Sequence, residues 1–150
     1  MERRVLHAQE VRAAKNGDKM TVRGYAATYG TLSKPLPAQG GSFCERIAKG
    51  AFKRILRTNP DVVALFNHDT NAVPGRATSG TLRLREDDKG LAFECDLPNT
   101  TAGRDVWESG KRGDLNSCSF AFQLGDRSWF EEAQADKKRR NRLNQTILEL

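Results

Sequence analysis

A serine hydroxyl is a poor nucleophile until a neighbouring base takes its proton, and an imidazole titrates close enough to neutrality to do so. The chain contains two histidines, His7 and His68. His68 stands in Leu65-Phe-Asn-His-Asp69, at the end of an apolar run and between two polar neighbours. His7 lies in a polar, weakly patterned opening segment, a poorer place for a base. The serines that such a base would serve are in Asp114-Leu-Asn-Ser-Cys-Ser-Phe-Ala-Phe122, where small or hydroxylic residues alternate with larger apolar ones. As a strand, this stretch puts Ser117, Ser119 and Ala121 on one face and Cys118, Phe120 and Phe122 on the other. The aromatic face can anchor in a core, leaving a serine held outward on rigid backbone. Alternation does not choose between Ser117 and Ser119, and separation along the chain says nothing about contact with His68. Each of these residues, taken alone, is more often plain surface than machinery.

Other chemistries find less support. Two distant histidines and Cys44, Cys95 and Cys118 lack the spacing of a zinc site, so no metal is expected. An odd number of cysteines among apolar neighbours reads as reduced, cytosolic thiols. Asp87 and Asp88 belong to a solvent-facing loop and do not form a cation-binding pattern. Neither the phosphate-cradling GxxxxGK[ST] nor the dinucleotide GxGxxG occurs, so no cofactor is expected. No pair of carboxylates is drawn to a common cleft by pattern.

The elements that must position Ser119 and His68 can be read in order. Val5, Leu6 and Val11 give a weak strand signal. Lys19 to Ala27 is a stronger one, with a bulge or close approach at Gly24. Residues 30–41, with Pro35, Pro37 and the Gly40-Gly41 pair, predict a loop. Ser42 to Ile47 predicts a short strand. Ala51, Phe52, Ile55 and Leu56 recur on one helical face from about Gly50, and Asn59-Pro60 ends that helix. Asp61 to Phe66 reads as a buried strand ending at His68, followed by a turn-rich connection to Gly80. Thr81–Arg85 and Leu91–Leu97 alternate with period two around Glu86-Asp-Asp-Lys-Gly90, predicting a hairpin whose core face holds Leu82, Leu84, Leu91, Phe93, Cys95 and Leu97. A short helix through Val106 and Trp107 takes Asn99 or Thr100 as its cap and ends at Gly110 or Gly113. Ser128-Trp-Phe130 and Thr146–Leu150 are the last strand-like segments.

Size and charge bound the reading further. The chain has 150 residues, enough for one domain burying roughly 68–70% of its unfolded surface. No run approaches the roughly 18 apolar residues that span a bilayer. Met1-Glu-Arg-Arg has no apolar stretch behind it, so no secretory signal is expected. Of the net charge of +6, much resides in Lys137-Lys-Arg-Arg140 and Arg142. That run lacks a recognition element or stacking aromatics, so a solvated basic loop is a plainer reading than a contact with a polyanion or an acidic protein. Helical patterns do not alternate regularly with strands, which favours an antiparallel or mixed sheet with small helices over βαβ units.

A series of short segments, each weak alone, carries a family resemblance in its order and spacing. It runs Gly24-Tyr-Ala-Ala27, Gly41-Ser-Phe-Cys-Glu-Arg-Ile47, Gly50-Ala-Phe52, Leu65-Phe-Asn-His-Asp69, Gly75-Arg76, Ser79-Gly-Thr-Leu82, Asp88-Lys-Gly-Leu91, Gly113-Asp-Leu115 and Ser119-Phe120 with Phe122. The chain resembles the prohead proteases of tailed bacteriophages, the capsid-maturation serine peptidases typified by the HK97 phage. The resemblance implies that His68 is the catalytic histidine and Ser119 the nucleophile, with Ser117 standing where the family commonly has glycine. It implies a mainly β fold, a compact barrel-like antiparallel or mixed sheet with peripheral helices, similar to herpesvirus assemblin. The implied substrate is scaffold protein, or the scaffold-like N-terminal region of the major capsid protein, inside a prohead assembling in the bacterial host cytoplasm. Capsid and scaffold proteins are thus the implied partners, with a homodimer reasonable and no membrane or nucleic acid expected.

The resemblance implies that residues 1–150 are a single prohead-protease-like domain expected to lack its final strand or strands, where the third catalytic residue is expected. Glu149 is the carboxylate left in the terminal segment and the candidate to orient His68. Asp69 adjoins the histidine, where backbone direction makes a productive contact awkward. Arg76 and Arg127 are candidates for the oxyanion or for structural roles. The competing readings are a catalytically impaired protease-fold module that binds capsid or scaffold protein without cleavage, and a nucleic-acid binder using Lys137 to Arg142.

Overall fold

The computed structural model describes residues 2–6, 11–122, 127–132 and 142–147, and their side chains over 11–15 and 17–121. Its best-built sheet follows from the strongest alternation in the sequence. Strands β1 (Glu2–Leu6), β2 (Arg12–Asn16) and β3 (Lys19–Thr28) open the chain. They are followed by β4 (Leu36–Ala38), β5 (Gly41–Ile47) and helix α1 (Lys53–Arg57). Next come β6 (Val63–Ala64), β7 (Gly75–Arg76), β8 (Leu82–Glu86), β9 (Gly90–Asp96) and helix α2 (Thr101–Arg112). The last strands are β10 (Cys118–Phe122), β11 (Arg127–Glu132) and β12 (Arg142–Ile147).

The predicted hairpin is β8–β9, and it continues through β3 to β2 in the antiparallel order β2-β3-β9-β8. The irregularity expected at Gly24 falls slightly later, where the β3–β9 register shifts between Tyr25 and Ala27. At Gly90 the backbone of β3 leaves no room for a side chain: a Cβ there would meet the Ala27 carbonyl oxygen at 2.0 Å. Helix α2 starts as expected, with the Thr100 hydroxyl accepting from the Gly103 N–H at 3.1 Å, and Gly113 closes it.

The barrel-like expectation is corrected. Among the described residues the strands divide among two four-stranded and two two-stranded sheets, and none is closed. Closure requires the first and last strands of one sheet to pair. Here one series ends on β2 and β8 and the other, β11-β12-β5-β4, ends on β11 and β4. The described residues form a mixed β and α arrangement of several sheets with two short helices. The β12–β5 pairing is parallel, and the loop expected over 30–41 contains β4 against β5. The terminal strand ends at Ile147; the remainder of the expected 146–150 segment lies outside the described residues, as do His7, Glu149 and the Lys137–Arg140 run.

Two apolar clusters fill the interior. Ala27, Ile47, Ala51, Phe52 and Leu91 form one, with Tyr29, Ile55, Leu56 and Phe120 packed against it. Val11, Val22, Leu82, Cys95, Leu97 and Val106 form the other, with Val62, Ala64, Phe66, Trp107 and Cys118 against it. None of the three cysteines is in a disulfide, and burial pushes the Cys95 thiol up to about 11. No helix among the described residues is long and apolar enough to cross a membrane.

Candidate active site

Strand β10 is fixed by its apolar face. Cys118 packs on the second cluster and Phe120 on the first, where its ring meets Phe52 edge-on at 6.2 Å between centroids. Residues of opposite parity must then face away from the core: Ser119 is half-buried and Ala121 exposed. This is the presentation predicted from alternation. Ser117 is exposed and precedes the strand. The ladder partner of β10 is β1, with Ser119 opposite Val5. The N-terminal strand therefore holds the serine's backbone in register.

His68 is presented differently. The segment expected as a buried strand over 61–66 is corrected to the outer arm of a small hairpin. Only Val63 and Ala64 form a ladder, with Arg76 and Gly75 opposite. Val62, Ala64 and Phe66 turn toward the second cluster, whereas Val63 and Leu65 point to solvent. At the tip, Asn67 and His68 have φ of 50° and 58°, and the Asp69 N–H donates to the Phe66 carbonyl at 2.9 Å. Two consecutive left-handed residues make a tight turn that asparagine accepts more readily than most side chains. The hairpin's other arm lies close to the sheet at Gly75, where a Cβ would meet the Cys95 sulfur at 2.5 Å.

The tip brings His68 to β10. Ser119 Oγ and His68 Nε2 are 2.5 Å apart, hydrogen-bond contact between residues 51 positions apart. With Nε2 unprotonated, the hydroxyl donates to the imidazole, the arrangement a general base requires. Both elements rest on the same second cluster, through Phe66 on one side and Cys118 on the other. A shared core thus sets the distance between hydroxyl and imidazole.

The neighbouring candidates are committed elsewhere. The Asp69 carboxylate accepts from the Asn71 backbone N–H at 2.9 Å and its side-chain amide at 3.1 Å, closing the loop after the tip. The Arg76 guanidinium grips Asp61, with Nε 2.8 Å from Oδ1, and Thr78 adds a 2.9 Å bond to the same carboxylate. Those bonds, Arg76 first, hold the Asp61 carboxyl down at about 2. Cys118 adjoins Ser119, but burial raises its thiol pKa and keeps it a packing group. Among the described residues, no carboxylate accepts from His68 Nδ1, and no cluster of His, Cys, Asp or Glu could hold a metal ion. The Arg127 side chain and Glu149 lie outside the described residues.

The turn chemistry of Asn67 and the role of β1 were not expected from the sequence. The first had a signal, the turn-favouring Asn67 and Asp69 directly after an apolar run. The second had almost none, because Glu2–Leu6 shows no alternation strong enough to reveal its partner.

One protein family, described as Caudovirus prohead serine protease, matches residues 7–149. No curated protein and no solved structure matches the chain.

Proposed function

The chain belongs to the caudovirus prohead serine protease family, and from that premise we propose that Ser119 is its nucleophile and His68 the general base. The supporting observation is the 2.5 Å contact between Ser119 Oγ and His68 Nε2. In the reaction, Nε2 takes the hydroxyl proton as Oγ bonds the scissile carbonyl carbon. Collapse of the tetrahedral species breaks the carbon–nitrogen bond, and the imidazolium gives its proton to the leaving amine. Water then attacks the Ser119 ester, Nε2 takes the water's proton, and Oγ recovers it as the new C-terminal carboxyl leaves.

The substrate assigned is scaffold protein, or the scaffold-like N-terminal region of the major capsid protein, cut within the assembling prohead in the host cytoplasm. Glu149 is the proposed acceptor for the Nδ1–H of His68, on sequence grounds. Arg76, held by Asp61, is not assigned to the oxyanion, which is left to main-chain N–H groups or Arg127. The test is mass-resolved cleavage of the cognate scaffold and capsid proteins by the chain and by its Ser119→Ala, Ser117→Ala and Glu149→Gln forms. Cleavage should disappear in Ser119→Ala, persist in Ser117→Ala and fall in Glu149→Gln. Persistence in Ser119→Ala removes the nucleophile assignment. A folded chain that binds these proteins without cutting them instead establishes the non-catalytic assembly reading.

A further inference from the structure

Four large apolar residues are prominently exposed among the described residues: Leu32, Val63, Leu65 and Val73. Three of them lie on the one hairpin whose tip carries His68, at 38%, 36% and 46% exposure for Val63, Leu65 and Val73. Scattered exposed aliphatics are ordinary, but their concentration on one small element is not.

The backbone of that element is also open. The Ala77 N–H donates to the Val62 carbonyl at 2.8 Å, and the β6–β7 register pairs Val63 with Arg76 and Ala64 with Gly75. Antiparallel hydrogen bonding alternates along a strand. The main-chain groups of Val62 and Ala64 therefore face β7, and those of Val63 and Leu65 face the other way. Among the described residues no strand lies on that side, since β6 pairs with β7 alone. The Phe66 N–H then bonds the Ala72 carbonyl at 3.0 Å, which slips the register and sets Leu65 opposite Val73 and Pro74.

An open main-chain edge beside alternating apolar side chains suits an extended peptide that adds as a strand, its backbone supplying affinity and its side chains selectivity. The edge is close to the reacting groups. Leu65 precedes His68 by three residues, a reach of at most about 11 Å, or roughly three residues of an extended substrate. Resting on the Ser119–His68 reading above, we propose that Val63–Leu65 binds the substrate's main chain as an added strand. In that arrangement Leu65 and Val73 select an aliphatic substrate side chain within a few residues of the scissile bond. Arg76 and Asp61 neutralise each other at the far end of the hairpin, so the selected side chain is apolar and uncharged.

The test profiles the full chain on a peptide mixture made by digesting a bacterial proteome at glutamate, with cleavage sites mapped by mass spectrometry. Labelling of Ser119 by a small fluorophosphonate, which needs no extended contact, is followed in parallel. The expected profile is enriched in Val, Ile, Leu or Met at one fixed position near the cut. Leu65→Asn should abolish that enrichment and lower cleavage of the preferred peptides roughly tenfold or more, while Ser119 is still labelled. The control Leu32→Asn, on an exposed aliphatic outside the hairpin, should leave the profile as it was. If Leu65→Asn disturbs labelling, the milder pair Val63→Thr and Val73→Thr decides by the same criterion. Unchanged enrichment in a labelled variant, or a labelled parent chain without aliphatic preference, overturns the proposal. Failure of the parent chain to be labelled is a different result: it overturns the dyad itself, and this inference with it.

Discussion

Two hairpins follow one another along the chain and are built to opposite specifications. The β8–β9 hairpin pairs over five residues, from Leu82 opposite Cys95 to Glu86 opposite Leu91. Leu82, Leu91 and Cys95 are buried. The Arg83 guanidinium bonds Asp96 through both terminal nitrogens at 2.9 Å. Its loop is closed by Asp87, whose carboxylate accepts from the Lys89 and Gly90 N–H groups and from Tyr25. The His68 hairpin has a two-pair ladder, exposed aliphatics and a left-handed tip. Low local stability and unusual backbone conformation tend to coincide where side chains must meet ligands. The first hairpin makes a foundation, and the second holds His68 against it.

If that division is right, damage to the first hairpin should unfold the protein and damage to the second should not. Leu82→Ala should cost about 3 kcal/mol, since its methyl groups leave a cavity in the second cluster. In thermal denaturation that is a fall of roughly 10 °C for a chain of this size. Leu65→Ala, on the exposed arm, should stay within about 0.5 kcal/mol of the parent. Equal losses at the two positions would erase the contrast.

A smaller effect isolates the tip. Asn67→Ala forces a left-handed conformation on a residue that resists it, at about 1 kcal/mol. Exchange of the Asp69 amide, which bonds Phe66 across the turn, should accelerate about fivefold. Asn67→Gly should restore slow exchange, because glycine adopts positive φ freely. If alanine and glycine behave alike, the turn geometry is not what holds His68.

The smallest effect is electrostatic. Asp61 is held near 2, below its usual value of 3.8, chiefly by Arg76. A depressed carboxyl stabilises the fold fully above its unfolded pKa, and that contribution is lost as pH falls through the folded value. Amide exchange at Ala77, beside the pair, should therefore be flat above about pH 4 after correction for intrinsic rates. It should then show added opening between roughly pH 4 and 2 that Asp61→Asn lacks. Both groups are exposed at their ends, so the change should be slight.

The two hairpins also differ in how far the sequence disclosed them. Leu82, Leu84, Leu91, Phe93 and Cys95 alternate cleanly, and period two is enough to place such a face. The outward position of Ser119 was legible for the same reason, and the ends of α2 were legible to within two candidates each, of which the structure uses Thr100 over Asn99 and Gly113 over Gly110. Asp61–Phe66 reads as a buried strand because Val, Val, Ala, Leu and Phe are all apolar. Composition alone could not reveal that Val63 and Leu65 face solvent. The barrel expectation failed at a different level. Closure depends on which distant strands meet, and neither the parallel pairing of β12 with β5 nor the antiparallel pairing of β1 with β10 leaves a trace in local periodicity. Contact between His68 and Ser119 is likewise a product of two packings on one core, invisible until both are placed.

The most direct test of the central claim is the rate at which a fluorophosphonate modifies the intact chain, with the modified residue located by mass spectrometry. A single adduct on Ser119 is expected, absent in Ser119→Ala, unaffected by Ser117→Ala, and slowed at least a hundredfold in a folded His68→Gln form, as loss of the general base requires. An adduct on another residue, or labelling of Ser119 at an unchanged rate without His68, would contradict it.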